Sequence, residues 1–483
     1  MITANYADRG TPRLRVLSDE QCRELTLATF ECLERIGVGV GNAAARDLLA
    51  RAGASVEGAR VRIPAHLVRD AIAATPSQFT VWGRAGSQPM HVAADRVHFG
   101  PGLTSTYFID PQTGERRPAR RGDPALVARV ADALPNIDYV MGLGLIGDVA
   151  ADQASVYEFA ELLANTGKPL MAWAHCPANL DAMWRMATAA AGSEEALRRR
   201  PIFAFFSTYP SPLRHTDEDL ANVMWAAAHD VPVAYLGGPT VGIEAPFSSA
   251  SALVLHQSAA LSGLTIIQLA RRGARVAIGG LPSPMDLRTA RPSYGSPEAS
   301  LHSAAAADLA RYVGVPFMGT AGASESKLID AQAGLEAALQ VLMSALSGAS
   351  LVHDAGFLDC ADIGSLPMLV LVDEIIGMVK RIMRGIEVNR ETIMLDLVEQ
   401  IGPGGYFLDE PRSASLARRE VWMPTVLDRN QHAIWEQSGA KDTQQRVGEK
   451  LQKILARHQP PALDDEVRDA IARVLEEVAT AGG

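Results

Sequence analysis

The chain has 483 residues, 48% of them hydrophobic and 21% charged, with a formal net charge of −10; this is ample material for a large core and excludes disordered and fibrous classes. The acidic balance, with a pI near 5.6, argues against a nucleic-acid partner, which calls for a clustered basic face. Cys22, Cys32, Cys176 and Cys360 are scattered without a CxxC pair, the opening "MITANYADRGTPRLRVLSDEQ" has no apolar leader core, and no uninterrupted apolar run of about 18 residues follows, so neither a zinc ribbon, a disulfide framework nor a membrane span is expected, and a cytoplasmic chain is.

Residues 1–90 read as an accessory helical region. Ser18 and Gln21 form an S-x-x-Q capping box ahead of "CRELTLATFECLERIG", and two further helices are predicted at 42–51 and 65–74, because the capping side chains satisfy backbone N–H groups that the first turn leaves open. From about residue 138 short apolar runs recur at 139–147, 169–175, 201–207, 231–238, 274–280, 315–322 and 350–356, a repeat of roughly 30 to 43 residues that fits a strand, a helix and two loops. The intervening segments carry helix signals: Thr216 and the acids after it open one helix, and Gly167 and Pro169 close another. Alternation of this kind demands parallel pairing, and seven units without a GxGxxG fingerprint predict a TIM (β/α)8 barrel over residues 91–370. The missing strand is assigned to "DRVHFGPG" (95–102), followed by a hairpin that turns at Asp110–Gly114. Residues 371–483 read as C-terminal helices packed on the barrel, the first an amphipathic stripe ending at Gly385 and the next capped by Asn389 and running to Gly402.

Chemistry on such a barrel sits at the C-terminal ends of the strands. The residues there include Trp173, His175, Phe206, Tyr209, Tyr235, Glu325, Lys327, His353 and Phe357. The set is rich in aromatic rings, and ring faces attract a quaternary ammonium by roughly 0.5–2 kcal/mol per contact; ordinary packing of aromatic residues beneath loops is the competing reading. His175 and Cys176 suggest a metal, but neighbours on a strand point to opposite faces, and no metal site is assigned. No G-x-S-x-G elbow supports a serine hydrolase. Asp354, one residue after His353, is expected on the far side of the strand.

Several longer stretches carry a resemblance: "LERIGVGV" with "DLLARAGASVEGARVRIPAHLV" (33–68), "DPQTGERRPARRGD" (110–123), "MDLRTARPSYGSPE" (285–298), "SKLIDAQAGLEAAL" (326–339), "GFLD" (356–359), "LVDEIIGMVKRIMRGIEVNRETI" (371–393), "GPGGYFL" (402–408) and "REVWMP" (419–424). With these the chain resembles the trimethylamine methyltransferase family, in particular its members without pyrrolysine, which include glycine betaine:corrinoid methyltransferases. The resemblance implies a TIM barrel that takes a methyl group from a methylated amine and passes it to cobalamin on a separate corrinoid protein, with no tightly bound cofactor of its own. Only standard residues occur here, which favours a quaternary amine, glycine betaine or a similar betaine, over trimethylamine. Under that reading His353 is the catalytic residue through substrate positioning and, with Lys327 and the backbone N–H groups of "GGPTVG", is a donor to the betaine carboxylate, Trp173, Tyr209, Tyr235 and Phe357 surround the methylammonium, and Glu325 offsets the substrate's charge. A homo-oligomer is expected. A folate- or zinc-dependent methyltransferase and a non-catalytic quaternary-amine-binding barrel are the competing readings.

Overall fold

Runs in which every residue is apolar, rather than every second one, belong to strands covered on both faces. In the computed structural model, which describes residues 2–3, 12–84 and 89–481, seven largely apolar runs, some with a polar residue at an end or at His98 or His353, become parallel strands: Arg96–Pro101, Leu170–Ala172, Phe203–Thr208, Val233–Leu236, Val276–Gly279, Phe317–Thr320 and Leu351–Ala355. The last pairs back onto the first. Between Arg96–Pro101 and Leu170–Ala172 the short segment 138–141 completes the wall, with the Asp138 N–H donating to the Phe99 carbonyl at 2.7 Å and the Val140 N–H to the Pro169 carbonyl at 2.9 Å. The result is a closed eight-stranded (β/α)8 barrel.

The strand count and the assignment of 95–102 to the wall are as predicted, but one run contributes less than expected. The 95–102 stretch is the first strand in chain order, and only the start of the 139–147 run reaches the wall. Beyond Met141 the backbone leaves the sheet at Gly142, where a Cβ would lie 2.5 Å from Glu158 Oε1. Residues 1 and 4–11 of the opening stretch on which the expected absence of a leader rests lie outside the described residues.

Alternation within each strand sorts the side chains into two layers. Met171, Ala204, Phe206, Ala234, Leu236, Met318 and Leu351 point into the barrel, where Phe79, Val81, Met90 and Val92 of an antiparallel hairpin (Phe79–Val81 with Met90–Val92) join them. That hairpin precedes the first strand, and the Trp82 and Arg84 N–H groups bond to the Pro201 and Gly167 carbonyls just ahead of two strand starts, so it closes the N-terminal end of the barrel. Residues 1–90 are thus more than helices: besides this floor, Val38–Val40, Ser55–Glu57 and Arg60–Arg62 form a small sheet with Arg214–His215. The Ser18–Gln21 capping box opens the Asp19–Glu31 helix as predicted.

The outward layer packs under the helices. Ser249–Ala270 is long and apolar enough to cross a membrane by length and composition, and its burial inside the fold accounts for that apolarity. The helix after the last strand, Leu366–Met383, carries the "DEIIGM" motif, whose acids prove to be anchors. Asp373 accepts from the Asn136 N–H at 2.8 Å, and Glu374 accepts from the N–H groups of Thr425, Val426 and Leu427 at 2.8, 2.9 and 3.1 Å. The long helix predicted after Asn389 breaks at Met394, whose φ is +51°, into Arg390–Ile393 and Leu395–Ile401.

Candidate active site at the mouth of the barrel

At the C-terminal end of the wall a cavity of about 540 Å3 is lined by Trp173, Phe206, Tyr209, His175, Arg214 and Asn222, with Glu218 and Asp219 at its side. Three of its residues, Trp173, Phe206 and Tyr209, are aromatic because two neighbouring strand ends deliver them. Phe206 points inward from Phe203–Thr208, while Trp173 and Tyr209 follow directly after their strands.

His353 adjoins this cavity. Its ring meets the Phe206 ring edge-on at 5.4 Å between centroids, Nε2 lies 3.2 Å from Thr320 Oγ1, and Nδ1 lies 2.6 Å from Asp354 Oδ1. The last contact corrects the expectation for Asp354. The strand bulges between Val352 and Ala355, and Asp354 has φ +82°, which swings its carboxylate onto the same side as the imidazole. A non-glycine residue held in that region stores strain, a frequent mark of a working site.

Trp173 is held from behind. Its indole Nε1 donates to Glu158 Oε2 at 3.0 Å. Glu158 is fully buried, and burial raises its pKa to about 7 against the opposing bonds from Trp173 and the Gly142 N–H. Nothing in the strand-end survey pointed to Glu158, since it lies in a helix, Ala154–Asn165. The available signal was an acid placed on the buried stripe with Ala154, Leu162 and Phe159, a position that charged residues avoid unless they have a partner.

The structure therefore brings Trp173, Tyr209 and His353 to or beside the cavity; Tyr235 packs behind Tyr209, with 5.0 Å between ring centroids, and Phe357, Glu325 and Lys327 lie outside the cavity lining. Tyr235 lies between two inward residues, Ala234 and Leu236, and so faces outward; its hydroxyl bonds to His215 Nδ1 at 2.8 Å, and its ring packs on Gly263. Phe357 is fully buried against Gly102. Glu325 accepts from Ser293 Oγ and from the Gly295 N–H at 3.1 Å, which ties down the 285–296 loop. Lys327 is exposed, pairing with Asp359 at 3.2 Å and donating to the Glu325 carbonyl at 2.7 Å. Among the described residues, no cluster of three or more His, Cys, Asp or Glu side chains that could hold a metal ion occurs.

The same end of the barrel carries an apolar rim outside the lining of this cavity. Ile243, Phe247, Leu287 and Leu328, from three successive strand-end loops, are all more than half exposed.

Comparison with known proteins agrees with this architecture. Residues 2–480 match the family model "Trimethylamine methyltransferase (MTTB)". A trimethylamine methyltransferase MttB of Desulfitobacterium hafniense is 30% identical over 482 residues, covering 99% of this chain and 96% of the relative. A glycine betaine methyltransferase of the same species is 28% identical over 458 residues, covering 94% and 95%. Among solved structures, the monomethylamine methyltransferase MtmB of Methanosarcina barkeri superposes with a TM-score of 0.55 at 12% identity, covering 92% of this chain and 88% of that one, a likeness of fold.

Proposed function

Because the chain belongs to the trimethylamine methyltransferase family and is a methyltransferase, we propose that it removes a methyl group from a quaternary amine of the glycine betaine class and delivers it to cobalamin on a separate corrinoid protein. The observation that carries this reading is the meeting of Trp173, Phe206 and Tyr209 on one cavity beside His353. Ring faces suit a methylated cation that can neither donate nor accept a hydrogen bond. Demethylation of such a cation releases a neutral tertiary amine, so no general acid is required and the protein's task is orientation and exclusion of water. Cob(I)alamin, when presented at the mouth, supplies the nucleophile. The exposed apolar rim of Ile243, Phe247, Leu287 and Leu328 fits a partner seated over the opening.

Beside the cavity, against Phe206, His353 is the residue assigned to position the substrate. The bulge and the contacts to Thr320 and Asp354 fix its ring. Arg214 is the cation available to a betaine carboxylate, and His175 lies on the same lining. Tyr235, Phe357, Glu325 and Lys327 act one step removed, as packing and loop anchors. A cytoplasmic homo-oligomer completes the reading, supported by four free cysteines and by exposed apolar side chains such as Ile386, Leu395 and Leu408.

The test is direct. Protein, a panel of betaines and reduced cobalamin are mixed, and conversion of the cob(I)alamin spectrum to that of methylcobalamin is followed. Turnover with a quaternary amine and none with trimethylamine is the expected result; binding without conversion across the panel refutes the reading.

A further inference from the structure

Glu158 is built into the wall behind the cavity with unusual care. It is 1% exposed, its Oε2 receives the Trp173 indole N–H at 3.0 Å, and the Gly142 backbone N–H bonds to the same carboxyl. That second bond depends on glycine, since a Cβ at position 142 would lie 2.5 Å from Glu158 Oε1.

The surrounding charges are engaged elsewhere. The Asp123–Ala133 helix carries Arg129, bonded to the His458 carbonyl, and Asp132, bonded to Thr166 and His458. The Pro177–Ala191 helix carries Asp181 and Arg185, and Arg185 pairs with Glu477 of the last helix. On its own helix the neighbours are Tyr157, covered by the Arg121 guanidinium, and Glu161. Among the described residues no Lys, Arg or His pairs with Glu158, and burial leaves it divided between acid and carboxylate near neutrality, at about 7.

We propose that Glu158 is a positioning residue that acts through Trp173: its carboxylate fixes the indole plane and supplies the negative charge that recognises the fixed positive charge of the substrate. This rests on the quaternary-amine reading above and deepens it. An indole that donates to a carboxylate is held in one orientation and made more electron-rich, which strengthens its face toward a cation. The charge behind the ring adds a Coulombic attraction that falls only slowly in a surrounding of low polarity.

Linkage turns this into a measurable signature. A quaternary ammonium has no ionisable proton, so any proton that appears on binding comes from the protein. A cation that binds better to the carboxylate than to the acid must, reciprocally, favour loss of the proton. Binding near pH 6.5 should therefore release a fraction of a proton, and affinity should climb with pH until Glu158 is fully ionised, then level.

The experiment is isothermal titration of the full chain with tetramethylammonium at pH 6.5 and pH 8, in buffers of different ionisation enthalpy. The wild type is expected to release protons at pH 6.5 and to bind more tightly at pH 8. Glu158→Gln keeps an amide oxygen for the indole N–H but loses the charge; it should release none and bind about tenfold more weakly at pH 8. Trp173→Phe leaves the acid but breaks the bond, and should release fewer protons than the wild type; this variant carries the test should Glu158→Gln fail to fold by circular dichroism. Wild-type affinity and proton release in Glu158→Gln would overturn the proposal. Wild-type release in Trp173→Phe would likewise overturn action through the indole. Failure of the wild type to bind tetramethylammonium at all would overturn the quaternary-amine reading as well, an outcome visible before either variant is made.

Discussion

Replacing Phe206 with leucine separates what the ring contributes as a shape from what it contributes as a π-system. Phe206 is 4% exposed, lines the cavity and meets His353 edge-on at 5.4 Å. Leucine keeps most of the apolar volume, so the cost to folding should stay below about 1.5 kcal/mol. Lost with the ring are a cation–π contact worth roughly 0.5–2 kcal/mol and an edge-to-face contact worth about 0.5–1.5 kcal/mol that holds the imidazole. Since only part of the second bears on binding, the substrate should bind weaker by roughly 1–2 kcal/mol, about five- to thirtyfold in KM. The assay is methylcobalamin formation over a range of betaine concentrations, with a neutral tert-butyl analogue as competitive inhibitor. The analogue has the shape of the ammonium without its charge, so its inhibition constant should hardly change. An equal loss of affinity for substrate and analogue would refute the role of the ring quadrupole and leave Phe206 as a spacer.

His353→Ala should lower kcat/KM at least tenfold and also cost about 1–3 kcal/mol of stability, because it strands the buried Asp354 carboxylate 2.6 Å from its former partner; adding Asp354→Asn should recover melting temperature but not activity. Tyr235→Phe removes the hydroxyl bonded to His215, so melting temperature should fall by the equivalent of about 1–3 kcal/mol with KM unchanged; a raised KM would restore Tyr235 to the site. Burial alone would raise the Glu374 pKa, but the bonds from Thr425, Val426 and Leu427 outweigh it and the group is held low. Its stabilisation is therefore fully present above the unfolded carboxylate value of about 4.3 and is lost as pH falls through the lower folded value. Glu374→Gln should flatten the acid limb of a denaturation profile followed by circular dichroism.

The barrel was legible because parallel strands covered on both faces announce themselves as continuous apolar runs. The same property hid the register. In "VPVAYLGG" nothing polar marks which residues face inward, and a slip of one position moves Tyr235 from the mouth to the helix layer, where Gly263 makes room for its ring. That Trp173 and Tyr209 line the cavity is legible because each lies just past a strand end, where position in the chain is enough. The same rule brings His353 beside it, but alternation assumes an unbroken ladder and so puts Asp354 on the wrong side, and a positive φ at an aspartate leaves no trace in composition. Lys327 and Glu325 were read as ligands for substrate because a charge near a strand end looks alike whether it serves a ligand or a neighbouring loop; Asp359 and Ser293 decide that, and both are distant in sequence. Glu158 is the opposite case, a residue in a helix that reaches the site only through Trp173.

The hairpin formed by Phe79–Val81 and Met90–Val92 turns the barrel into a vessel with a sealed floor. Everything that enters must then leave by the same doorway. Under the function proposed above, a partner collecting the methyl group would stand in that doorway, so the amine would have to be aboard before it arrives and the demethylated product would wait until it departs. Traffic would then be single-file, its order imposed by four apolar side chains at the end of the barrel farthest from the chemistry.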